Sequence, residues 1–206
     1  VGMSIGGGFE VVLHADHVVS HANSVMGLVE SFVGVVPAGG GCKEMLYRWT
    51  EKLNDTQKGA WKSFMNIGLG RKANSPQEAD ALAMRRADDV FQMNRDRILN
   101  IALSKLDDTK KASQRSPLAL SGAEHFKEML EWLEVNNKKG MLTPHDVTVG
   151  TEIGRIMSGG DCPAGTVFSE QEILDAERSS FITLAQTQET QARIVSMLDN
   201  GVTLRN

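Results

Sequence analysis

From residue 42 onward, apolar side chains return every three or four residues, while the first forty residues do not follow that rhythm. Met45, Leu46, Trp49 and Leu53 have the spacing of one helix face. Ala60 to Leu69, with Trp61, Phe64 and Met65, reads as a weaker helix. Ser75-Pro76-Gln77-Glu78 combines an N-cap serine, proline at the first helical position and a glutamate placed to close a capping box, so a helix is predicted from 76 to about 85. Met93 to Leu106 is predicted to be another, with Ile98, Ile101, Ala102 and Leu106 on one face. Ser121-Gly122-Ala123-Glu124 reads as a second capping box opening a helix to about 138, with Phe126, Met129, Leu130 and Leu133 inward. Thr143-Pro144-His145-Asp146 starts a helix to about 158, Ser169-Glu170-Gln171-Glu172 one to about 185, and Glu189 to Asp199 forms the last. Residues 107–120 and 159–168 are polar or rich in Gly and Pro and read as loops.

The front of the chain is patterned differently. Val1, Met3 and Ile5 lead as a buried strand into Gly6-Gly7-Gly8, and a short helix follows from Gly8 to about Ala15. His17 to His21 and Ser24 to Leu28 read as short strands, β-branched and apolar between turn residues. Residues 33–41 form a strand or a loop that ends at Pro37 and a second glycine cluster, Gly39-Gly40-Gly41. The class is therefore α/β, predominantly α-helical after about residue 42. The main organisational break separates a small strand, glycine-turn and helix core (1–41) from a helical region (42–206).

Composition narrows the function. Of the 206 residues 41% are hydrophobic and 23% charged, as in ordinary globular domains, and the net charge of −4 comes without any basic run. That speaks against nucleic acid as a partner. No apolar stretch is long enough to span a bilayer. Cys42 and Cys162 are far apart, without metal-ligand spacing, and read as reduced thiols of a cytoplasmic protein. Ten methionines stand against 5% aromatics, which suits core filling or an acyl-binding surface. The chain starts at Val1, within the first predicted strand, and is expected to be a fragment of something longer.

The first candidate chemistry is at Gly6-Gly7-Gly8, Glu10 and Glu30. Glycines allow close backbone approach, and the N–H groups that open a helix lack intrahelical partners, so they can receive negative charge. Two carboxylates sharing an apolar pocket would be driven to different pKa values, which suits acid and base roles. A tight packing turn with Glu10 as an ordinary N-terminal charge is the alternative, and pattern alone favours it. His14, His17 and His21 read as packing or surface residues rather than a metal site. Lys110-Lys111 and Lys138-Lys139 could meet phosphates, although solvated helix ends are the simpler account.

Three segments in order then carry a resemblance: Gly6-Gly7-Gly8-Phe9-Glu10-Val11-Val12-Leu13-His14-Ala15-Asp16, Met26-Gly27-Leu28-Val29-Glu30, and Gly34-Val35-Val36-Pro37-Ala38-Gly39-Gly40-Gly41. Together they resemble the crotonase (enoyl-CoA hydratase/isomerase) signature. Asn94-Arg95-Asp96-Arg97, His145-Asp146-Val147, Gly159-Gly160-Asp161, Ser169-Glu170-Gln171 and Leu204-Arg205-Asn206 are similar to one branch, the bacterial bifunctional enzymes in which an NAD-dependent 3-hydroxyacyl-CoA dehydrogenase precedes a hydratase-like region. The resemblance implies a crotonase-like fold truncated on its N-terminal side, an acyl-CoA substrate and homo-oligomeric assembly. It implies that Gly7 N–H forms half of an oxyanion hole for the thioester oxygen. Glu10 and Glu30 would hold and activate water and deliver a proton to the α-carbon, adding water across a trans-2-enoyl-CoA. The family's second oxyanion donor and most of its CoA contacts come from strands that would precede Val1, so the 206 residues alone are expected to be nearly inactive. NAD would serve only the dehydrogenase part, since no G-x-G-x-x-G follows a strand here. A helical assembly region without catalysis, or an isomerase or thioester hydrolase reaction of the same superfamily, are the alternatives.

Overall fold

The computed structural model describes residues 2–108 and 114–206; the Lys110-Lys111 pair lies outside them, as does Val1. Strand β1 (Met3–Ile5) runs into helix α1 (Gly7–Leu13), followed by β2 (Val19–His21) and β3 (Val25–Gly27). β1 and β3 pair in parallel, with Ser4 opposite Met26 and Ile5 opposite Gly27. α1 is on the crossover between them, and its inward face, Phe9 and Leu13, is fully buried. A 3-10 turn (Glu30–Val33) comes next, and then α2 (Gly41–Leu53) and α3 (Thr56–Gly68). Residues 34–40 between them form no strand: Val35 and Val36 are buried as loop residues that close the core.

The helices α4 (Pro76–Ala81), α5 (Ile98–Leu103), α6 (Gly122–Lys138), α7 (Pro144–Ser158), α8 (Glu170–Ala185) and α9 (Gln188–Asn200) complete the chain. Four two- or three-residue strands interrupt them: β4 (Lys72–Ala73), β5 (Val90–Gln92), β6 (Leu118–Ala119) and β7 (Val167–Phe168). β4 extends the first sheet against β3, β5 pairs with β2, and β6 with β7. The region after residue 42 is therefore not helix throughout. These strands escape a periodicity argument because two or three residues cannot show a period. A single apolar cluster unites Phe9, Met26, Leu46, Phe64, Ile153, Met157 and Leu184.

The end signals fared unevenly, for local reasons. Thr143 with Asp146 and Ser169 with Glu172 form complete capping boxes at α7 and α8. Ser75 caps α4, but Glu78 reaches one residue further back to the Asn74 N–H, and the helix stops at Ala81 rather than 85. Ser121 makes no capping bond; its hydroxyl is 2.7 Å from His125 Nδ1. The helix predicted over 93–106 is broken into a 3-10 turn (Arg95–Arg97), α5 and a second 3-10 turn (Leu106–Asp108). Leu106 is 61% exposed there and does not join the face of Ile98.

Behind α1 is a sealed ionic cluster. Glu44, 3% exposed, meets Lys43 Nζ at 2.8 Å, Arg115 at 3.0 Å, Arg48 at 3.4 Å and Arg86 at 3.7 Å. Burial alone would raise the Glu44 carboxyl, but the hydrogen bond and charge of Lys43, with Arg115 and Arg48, outweigh it and hold the group at about 2. Because the folded value lies below the ordinary 4.5, the stability this site supplies is complete above pH 4.5 and is lost as pH falls toward 2. Acid titration of stability should show a loss of roughly 3 kcal/mol from this site across that window, absent from Glu44→Gln, which should itself be less stable at pH 7 because the buried Lys43 and Arg48 and the half-buried Arg86 and Arg115 lose their partner. Denaturant melts at pH 7, 4.5 and 3 measure both.

Candidate active site

Three backbone features bring the glycine turn and the two glutamates together. Gly6 caps α1 with φ +58°, a conformation that L side chains rarely adopt, and a Cβ there would stand 3.1 Å from Glu30 Oε1. The Phe9 and Glu10 N–H groups both donate to Gly6 O, at 2.7 and 3.0 Å. Gly7 opens the helix, is exposed, and among the described residues its N–H donates to nothing. One turn on, Glu10 is 9% exposed. Its Oε1 accepts from Gly39 N–H at 2.7 Å and from Gly41 N–H at 2.9 Å. Side chains at Gly39 or Gly41 would fall 2.8 Å from the Glu10 carboxylate, and one at Gly40 would strike the His14 ring at 2.5 Å. The second glycine cluster is thus the negative imprint of Glu10 and His14.

Glu30 begins the 3-10 turn and points its carboxyl at Gly6. Both its oxygens are buried, and neither accepts a well-formed hydrogen bond within the chain. Burial, reinforced by the Glu10 charge, pushes this carboxyl up to about 7. The turn is held from behind. Arg193, 2% exposed, donates to Ser31 O at 3.3 Å while paired with Asp146 at 2.8 Å. The Thr190 hydroxyl donates to Gly34 O at 2.7 Å, and so accepts from His145 Nε2 at 2.8 Å, which fixes that ring's tautomer.

Gly7, Glu10 and Glu30 line one cavity of about 440 Å³, together with Val36, Ala38, Arg178 and Phe181. The structure thus brings all three sequence-predicted residues to one space. Within it are a free N–H, a carboxylate anchored through one oxygen, and a second carboxyl that can hold a proton near neutral pH. Ser31 and Phe32, the next residues along, line a separate, mainly apolar cavity of about 420 Å³ walled by Phe64, Trp132 and Val149, which contains none of these acids.

Sequence reasoning missed what α8 contributes. Arg178 and Phe181 face the cavity, and Glu177, fully buried, accepts from Gly40 N–H at 2.9 Å and from the Lys43 N–H. One signal was visible: Glu177 falls in the spacing of Ile173, Ser180 and Leu184, the buried face of α8. A glutamate in an apolar stripe needs buried partners. The histidines do not converge. His14 Nδ1 is 2.7 Å from Glu10 O and its Nε2 is 3.1 Å from Lys43 Nζ, whereas His21 Nε2 is 3.0 Å from Met93 O. Among the described residues no group of three or more His, Cys, Asp or Glu is placed to hold a metal ion. Lys138 and Lys139 are exposed at the end of α6. The glycine turn does not fit a dinucleotide, because two carboxylates stand where pyrophosphate would need positive charge. No described helix is long and apolar enough to cross a membrane.

Comparison with known proteins bears on the fold. Two solved structures share its fold. An enoyl-CoA hydratase from Rhodobacter sphaeroides 2.4.1 superposes with TM-score 0.58 at 19% identity, covering 100% of this chain and 61% of that one. A carnitinyl-CoA hydratase from Mycobacterium avium gives 0.54 at 14% identity, covering 96% and 57%. The chain therefore has the α/β crotonase fold. In sequence it is 31% identical over 209 residues to a Bacillus subtilis (strain 168) protein named "Probable 3-hydroxyacyl-CoA dehydrogenase"; the match covers all of this chain but only 26% of the relative's length. No family model matches the chain.

The raised Glu30 carboxyl carries its own test. A carboxyl whose folded value is above 4.5 disfavours the folded state as pH rises from 4.5 through 7, so Glu30→Gln should be more stable than the parent at pH 8 and nearly equal to it at pH 5. In a carbon-detected NMR titration the Glu30 carboxyl should have its midpoint near 7, and Glu10→Gln should move that midpoint down.

Proposed function

We propose that the chain performs hydratase-type chemistry on an acyl-CoA thioester: reversible addition of water across a trans-2-enoyl-CoA. The observation that carries this is that Gly7, Glu10 and Glu30 line one cavity. Such a substrate becomes electrophilic at its β-carbon only if its thioester carbonyl is polarised, and the negative charge of the resulting enolate must then be held. Gly7 N–H is the donor for that oxygen. Glu10, with Oε1 fixed on the Gly39 and Gly41 N–H groups, presents Oε2 as acceptor for the attacking water. Glu30, whose carboxyl is pushed up to about 7, keeps a proton available at neutral pH to deliver to the α-carbon. After one turnover the water proton has passed to a carboxylate and the α-carbon has gained one, so the two acids exchange roles in the reverse direction.

The relative's name supports the wider context. Hydration of a 2-enoyl-CoA yields a 3-hydroxyacyl-CoA, the compound class in that name. We therefore place the chain in a longer protein, as the region following an NAD-dependent 3-hydroxyacyl-CoA dehydrogenase in fatty-acid oxidation. Residues 1–41 would supply the donor and acids and 42–206 the helices that hold them. Assembly into a homo-oligomer belongs to the same proposal.

In the full-length protein, Glu10→Gln and Glu30→Gln should each reduce hydration of crotonyl-CoA about a hundredfold or more with folding unchanged. Gly7→Pro, which removes the N–H, should cost about a hundred- to a thousandfold. Near-parental rates in both glutamine variants would sink the assignment. Products formed from defined enoyl-CoA isomers separate hydration from isomerisation and thioester hydrolysis.

A further inference from the structure

Four N–H groups in a row, from Gly39 to Lys43 with Cys42 passed over, are taken by two glutamates in alternation. Gly39 and Gly41 donate to Glu10, while Gly40 and Lys43 donate to Glu177. Gly40 is the N-cap of α2 and has no side chain with which to cap it. Glu177 supplies that oxygen from 137 residues away, on the Lys43 N–H where an N-cap side chain would act. Gly40 has φ +91°, and its N–H goes to a different glutamate from those of Gly39 and Gly41. The same peptide segment is therefore pinned from both sides, by Glu10 on the cavity side and by Glu177 on the core side.

We infer that Glu177 is a positioning residue for Glu10: by holding the Gly40 and Lys43 N–H groups, it fixes the orientation in which Gly39 and Gly41 receive the Glu10 carboxylate, and so where Glu10 Oε2 points in the cavity. Three features of the structure favour this over plain core packing. Glu177 is 0% exposed, and burying a carboxyl with no role in the fold is expensive. Its two acceptor contacts go to backbone of the segment that binds Glu10 rather than to a cation. Neighbouring Arg178 and Phe181 on the same helix line the cavity, so α8 ties the loop and the cavity wall into one rigid unit. Burial pushes the Glu177 carboxyl up to about 8, and the Glu10 charge adds to this, against the lowering effect of those two N–H bonds.

The test uses Glu177→Gln in the full-length protein, and its two arms are independent. In the first, amide hydrogen exchange is read residue by residue by fragmentation mass spectrometry. Gly39 and Gly41, which touch Glu10 and not Glu177, should exchange about tenfold faster or more, while the core amides of Leu46 and Ile153 keep parental rates. Loss of protection at Gly40 and Lys43 alone would reduce Glu177 to a helix cap and overturn the inference. The second arm rests on the hydratase reading: kcat for crotonyl-CoA should fall about ten- to a hundredfold with KM within twofold, as for a displaced catalytic group. Unchanged kcat would overturn the inference. If the parent protein fails to hydrate crotonyl-CoA, the hydratase reading falls and the exchange arm alone decides on Glu177. Should Glu177→Gln not fold, Glu177→Asp, which keeps the carboxyl but withdraws it by one methylene, is read in the same way.

Discussion

The arrangement hangs on one desolvated anion. Glu44 sits among Lys43, Arg48, Arg86 and Arg115, and such a carboxylate is tolerated only while its cations stay in place. Each cation is also committed elsewhere. Arg48 and Arg86 donate to Leu13 O at 2.8 and 3.0 Å, and Arg86 to Ala15 O at 2.7 Å, which captures the carbonyl end of α1. Lys43 Nζ and the Arg115 N–H reach Glu170 at the start of α8, at 2.9 and 3.0 Å. One carboxylate thus fixes where α1 ends and where α8 begins.

Those two helices carry groups to which we assign the proposed chemistry. α1 is only seven residues long, too short to be stable by itself. Its far end is held by guanidinium groups and its near end by the Gly6 turn and by Glu10 gripping the glycine loop. The N–H of Gly7 and the carboxylate of Glu10 therefore sit on a rigid support, as groups that act by preorganisation must. Glu30 reaches the same cavity from a different support. Its 3-10 turn is tied to α7 and α9 through Arg193, Thr190 and His145, so its position answers to the C-terminal helices rather than to its own neighbours in sequence.

Much of this was legible in the chain. The switch from short strands to helical periodicity near residue 42, the capping boxes at Thr143 and Ser169, and the ordered glycine–glutamate segments gave the class, most helix starts and three candidate residues that share one cavity. Failures came where local chemistry was ambiguous. Ser121 has the letters of a capping box, but its hydroxyl takes His125 instead. Residues 93–106 have helical spacing, but little of the folded chain packs over Leu103 and Leu106, both more than half exposed, to hold one continuous helix. The paired strands of two or three residues depend on partners as distant as Val90 is from Val19, which no local pattern encodes.

What the sequence by itself determined is whatever depends on neighbours a few positions apart: the glycine turn, the glutamate one helical turn beyond it, the amphipathic faces and their caps. What only the tertiary structure decided is the environment of each charge. Glu30 and Glu44 are the same residue type, each beside an apolar or β-branched stretch. One is lifted to about 7 because burial outweighs what the neighbouring backbone gives back, and the other is held at about 2 by Lys43, Arg115 and Arg48. The identity of the buried partner across the fold sets that difference, because desolvation and Coulomb interaction act through space and not along the chain.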